Sequence, residues 1–125
     1  MLILFSAFSS ISSASSDIVA IVNDTPITKY DFEERKKLIT FLFNIDPTQK
    51  ESEKQLNSNV LNTLIENVIL SKHLEKTGGK VQDQEVKDTI NMIEQQNQMK
   101  PGELIKKIKE RNIDQDALYD QINQD

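Results

Sequence analysis

Leu56, Val60, Leu61, Leu64, Ile65, Val68 and Ile69 recur at spacings of three and four residues, and Leu74 continues the series. Side chains so spaced line one face of an α-helix, so this stretch must be a long helix with a wide apolar stripe. Gly78 supplies the left-handed stop, and the spacing predicts a helix ending at Thr77. The polar stretch Gln49–Gln55 reads as a loop or as the opening turn of that helix. So wide a stripe needs partners on more than one side, which makes this helix the expected centre of a mainly α fold.

The rest of the chain supplies the partners. Ile18-Val-Ala-Ile-Val is β-branched and ends at Asn23-Asp24-Thr25-Pro26, a turn cluster followed by Ile27. A short β-hairpin is expected there. Thr28 stands three residues before Asp31, the pattern of a helix N-cap with an acidic N3 residue, so a first helix should run from Lys29 to Phe43. Pro47 disfavours helix at Asp46 and breaks it. Beyond Gly78, Lys80-Val81 reads as a short extended link. Val86, Ile90 and Ile93 define a third helix over Asp83–Asn97. Pro101 fits the first position of a fourth, with Leu104, Ile105 and Ile108 inward. Asn112 can end that helix, and Asp114 can cap a fifth carrying Leu118 and Ile122, with Tyr119 beside them. The expected fold is a hairpin followed by about five helices, with the long second one central.

The segment before Asp17 is of another kind. Met1-Leu-Ile-Leu-Phe-Ser-Ala-Phe is apolar, and Ser9-Ser-Ile-Ser-Ser-Ala-Ser-Ser follows without one charge. An apolar run followed by small residues is the order of an export signal, cut before Asp17 or after Ala14. It lacks the basic start of such signals, so residues 1–16 are expected to be a signal peptide whose true start lies upstream or whose form is atypical. Serines interrupt the run well before the roughly 20 apolar residues of a membrane span. Residues 17–125 then form one domain. Its formal charge of −5 argues against a nucleic-acid partner, and the absence of Cys excludes a disulfide framework.

Taken in order, these parts resemble a known family. "IVAIVNDTPITKYDFEER", "VLNTLIENVILSKHLEKTGGKVQDQEV" and "INMIEQQNQMKPGELIKKIKERNIDQDALYDQI" follow the N-terminal module of the SurA-type periplasmic chaperones: a "VA-x-VN" strand, a capped helix, a long helix with a glycine stop, and a helix end leading to two short helices. The resemblance implies a periplasmic module that binds unfolded polypeptides, notably outer-membrane proteins in transit, without ATP. In that family parvulin prolyl-isomerase domains and a completing C-terminal helix follow the module. Neither is found within residues 17–125, so isomerase activity is not carried over to the chain as it stands. Two alternatives stay open: an N-terminal fragment of a longer parvulin-type isomerase, or a degenerate remnant of one.

No catalytic constellation accompanies this. His73 is the single histidine and has no second His or Cys with which to share a metal. Asp31, Glu33 and Glu34 read as acidic residues favouring a helix N-terminus rather than as an acid–base pair. Gly78-Gly79 lacks a phosphate-loop context. No enzyme activity, cofactor or metal is expected. The surface with binding potential is Leu38-Ile-Thr-Phe-Leu-Phe-Asn-Ile, too apolar for one helix face. With Leu38, Leu42 and Ile45 on the core side, Ile39, Phe41 and Phe43 are left as candidate client-binding residues, unless the rest of the domain or a further helix covers them. Met92, off the Val86/Ile90/Ile93 stripe, and Met99 could add adaptable contacts. A groove left uncovered could also be filled by a second copy.

Overall fold

The computed structural model describes residues 17–46, 48–78 and 83–123. The expected signal peptide at 1–16, Pro47, Gly79 and the expected extended link at Lys80-Val81 lie outside the described residues. The elements run β1 (Ile18–Val22), β2 (Thr25–Thr28), α1 (Lys29–Leu42), α2 (Lys50–Thr77), α3 (Asp83–Gln96), α4 (Glu103–Glu110) and α5 (Gln115–Ile122). The fold is mainly α with an N-terminal hairpin and five helices, as the sequence leads one to expect.

Local chemistry explains the boundaries. Strands β1 and β2 pair antiparallel, joined through Asn23 and Asp24, both at positive φ. That is the geometry whose twist suits a two-residue hairpin, and Asn and Asp tolerate it. The register shifts by one between Ile18 and Ala20. This hairpin turns Ile27 into the core and leaves Val19 and Ile21 outward. Thr28 closes a capping box: its Oγ1 accepts from the Asp31 N–H at 3.1 Å, and the Asp31 carboxylate accepts from the Thr28 N–H at 3.3 Å. Helix α1 ends at Leu42, one residue before the expected limit, because Phe43 is its C-cap and Asn44 turns left-handed. Gly78 at φ 68° ends α2 at Thr77.

Two clusters make the core. Leu38, Leu104, Ile108, Ile113, Ala117, Leu118 and Ile122 form one, between α1 and the α4–α5 pair. Ile27, Ile39, Leu56, Val60 and Leu64 form the other, between α1, α2 and the hairpin. Helix α1 therefore serves both. Consecutive helical residues point about 100° apart, so Leu38 and Ile39 face opposite clusters. This corrects the placement of Ile39, which is only 7% exposed and belongs to the core. It also divides the expected common face, for Leu42 packs on the first cluster and Ile45 on the second. Helix α2 is the longest element and packs on α1, the hairpin and α5, whereas α3 and α4 attach to each other and to α5. Its stripe is wider than the face covered, and Ile69 remains 52% exposed.

The start of α4 differs from expectation for a clear reason. Gly102 stands at the N-cap with φ 84°, so Pro101 falls in the preceding turn and the helix begins at Glu103. Glycine offers no capping oxygen. The buried Glu94 of α3 supplies one, its Oε2 accepting from the Leu104 N–H at 3.2 Å. Glu94→Ala leaves that buried N–H without its acceptor and is expected to cost about 1–2 kcal/mol in equilibrium urea unfolding, with Glu94→Gln retaining most of the stability.

Candidate functional site

Two grooves of opposite charge flank α1. The first, about 620 Å³, lies between β2, α1, α2 and α5. Arg35 contributes to its wall, only 1% exposed, donating from Nη1 to Gln121 Oε1 and from Nη2 to Asn67 Oδ1, both at 2.8 Å. Asn67 in turn donates to the Asp120 carbonyl at 2.8 Å, so α1, α2 and α5 share one polar network. Around it stand Asp31, Glu34, Glu75, Asp114, Asp116 and Asp120, against Arg35 and Lys72.

The same region locks α1 to the start of α5. Tyr30 donates its hydroxyl to Asp114 Oδ2 at 2.8 Å, while Asp114 Oδ1 caps α5 by accepting from the Asp116 N–H. Glu34 is buried rather than a solvated first-turn acid. Its Oε2 accepts from the Asp114 N–H at 2.7 Å, and its Oε1 pairs with Lys37 at 2.6 Å. These bonds commit the acidic groove to holding helices together.

Electrostatics within it follow from burial. Desolvation pushes the Asp120 carboxyl above its ordinary 3.8, with the Arg35 charge opposing, and desolvation likewise lowers Arg35. A raised carboxyl favours the neutral acid in the folded state. It therefore costs stability at pH values above its folded pKa, and that cost disappears as pH falls through the folded value to below 3.8. Asp120→Asn is expected to raise the thermal midpoint slightly at pH 7 and to leave it unchanged at pH 3.

The second groove, about 840 Å³, opens at the C-terminal end of α1. Phe41, Leu42 and Ile45 come from α1 and its exit, Met99 from the α3–α4 turn, and Ile113 from the turn before α5. The rim carries Lys36, Lys37 and Arg111 against Glu33, a basic patch on an acidic chain. The Arg111 guanidinium sits over the Phe41 ring, 4.5 Å from its centroid. Such stacking contributes about 0.5–1 kcal/mol at an exposed site and holds the cation in place.

The sequence candidates divide accordingly. Phe41 and Met99 meet in this groove, both half-buried against the first cluster. Phe43 is 67% exposed and follows the groove residue Leu42 in the chain. Met92 is half exposed on α3 and stands apart from the groove, and Ile39 is in the core. Sequence reasoning missed Arg111 and Ile113. The signal for Ile113 was its position, since an isolated apolar side chain between two short helices has to be buried somewhere. His73 lies exposed on α2, and among the described residues no group of three or more His, Asp or Glu side chains could hold a metal. No described helix is long and apolar enough to cross a membrane.

A small helical module with an open groove lined by apolar and basic side chains is the class of protein that these observations define. The chain belongs to the SurA-like N-terminal domain family, which matches residues 1–122. That family is one of chaperone-type, non-catalytic modules. The chain is similar to an uncharacterized protein of Rickettsia typhi, 32% identical over 119 residues, which cover 95% of this chain and 40% of the relative. It is also similar to an uncharacterized protein of Rickettsia bellii, 34% identical over 109 residues, 86% of this chain and 36% of the relative. The chain thus spans about two fifths of the length of the curated relatives it matches. No solved structure matches it.

Proposed function

We propose that this chain is a periplasmic chaperone module, delivered by the leader at 1–16, that holds unfolded polypeptides through ATP-independent apolar contacts, its clients being outer-membrane proteins in transit. The observation that carries this reading is the groove at the end of α1, where Phe41 and Met99 line a space of about 840 Å³ with Phe43 exposed beside it. An open groove whose wall mixes Phe41, Leu42, Ile45, Met99 and Ile113 with polar and basic side chains suits scattered aromatic and aliphatic client side chains. Met92 on α3 is a separate, weaker contact in this reading.

The test is light scattering of an unfolded β-barrel client diluted into buffer with this protein. Phe43→Ser is expected to cost under about 0.5 kcal/mol of stability, because the ring is mostly exposed, and Phe41→Ser about 1–2 kcal/mol. Together they should weaken suppression of aggregation several-fold at a temperature where the double variant remains folded by circular dichroism. Loss of stability with suppression unchanged would make both residues structural.

A second reading draws on the relatives, of which the chain spans about two fifths. In it the module is the client-holding part of a longer parvulin-type isomerase, and catalysis belongs to the remainder.

A further inference from the structure

We propose that the groove at the end of α1 prefers apolar segments with a carboxylate beside the buried side chain, and that Arg111 reads that carboxylate. The inference rests on the client-binding reading above and adds a charge preference to it.

Three observations carry it. First, the rim has the opposite sign to the rest of the chain: Lys36, Lys37 and Arg111 face only Glu33 there, on a protein of net charge −5. An acidic segment is repelled by the other groove, with its six carboxylates, and accepted at this one. Second, the three cations are not equivalent. Lys36 pairs with Glu53 at 3.4 Å, and Lys37 pairs with Glu34 while donating to the Asn112 carbonyl at 2.7 Å. Among the described residues no carboxylate lies within ion-pair distance of Arg111. Third, Arg111 is already positioned. It stacks on Phe41, the aromatic wall of the groove, so a guanidinium fork stands directly over the apolar surface that a client side chain would touch. A planar fork held by stacking loses little freedom on taking a carboxylate.

Fluorescence anisotropy tests this with three labelled peptides, blocked at both ends, each bearing two Phe residues in a Ser/Gly background. The residue next to the Phe pair is Asp, Asn or Lys. An exposed charge pair implies about three- to five-fold tighter binding of the Asp peptide than of the Asn peptide, with the Lys peptide weakest. That advantage should vanish in about 0.5 M salt and in Arg111→Gln, and return in part in Arg111→Lys. Equal binding of the Asp and Asn peptides, or an Asp preference that survives in Arg111→Gln, would overturn the inference and leave the chaperone reading standing. No binding of any of the three would overturn both. A concentration-dependent dimer in sedimentation equilibrium that none of the three peptides dissociates would assign the groove to a second copy and overturn the charge preference.

Discussion

Replacing Arg35 by Ala is expected to lower the free energy of unfolding by about 3 kcal/mol. The guanidinium is buried at the junction of α1, α2 and α5 and bonds two neutral amides, Gln121 and Asn67, rather than a carboxylate. Its removal strands both amide oxygens and opens a cavity where three helices meet. Its Nε has no hydrogen-bond partner among the described residues, so desolvation of the cation is incompletely offset. Arg35→Met, which fills the volume without a charge but leaves the same two amide oxygens without a donor, should lose about 2 kcal/mol. Arg35→Lys should do worse than Met, since it keeps a buried charge yet can reach only one of the two amides. Equilibrium urea unfolding ranks the three variants, and an Ala variant within about 0.5 kcal/mol of wild type would remove the network from the account of stability.

Leu38→Ala should cost about 3–4 kcal/mol. The side chain is fully buried among Leu104, Ile108 and Leu118, where close packing leaves little room for collapse around the lost atoms. Small domains have about 5 kcal/mol to lose, so the variant should sit near its unfolding transition at about 37 °C. Circular dichroism melting checks this. A drop in midpoint of only a degree or two would mean that the first cluster is not the core that joins α1 to α4 and α5.

What the sequence disclosed was what neighbouring residues decide among themselves. The Thr28–Asp31 box, the Gly78 stop, the Asp114 cap and the left-handed Asn112 are each settled within a few positions. Features that need a distant partner were hidden. Nothing local says that Leu38 and Ile39 serve different clusters, because periodicity marks an apolar position and not the partner it meets. Nothing local marks Arg35 as buried, because its partners Asn67 and Gln121 lie on two other helices. Likewise Gly102 is a capless start until Glu94 reaches it from another helix. The groove was half legible: Phe41 and Met99 stood out by residue type, but the turn bearing Arg111 and Ile113 completes it.

The central claim is that this chain binds unfolded polypeptide, and its most direct measurement is the light scattered by an unfolded β-barrel client diluted into a molar excess of the purified protein without nucleotide. Scattering is expected to fall in proportion to the protein added, and Phe41→Ser with Phe43→Ser to restore most of it. Aggregation at the same rate with and without the folded wild-type protein would contradict the claim.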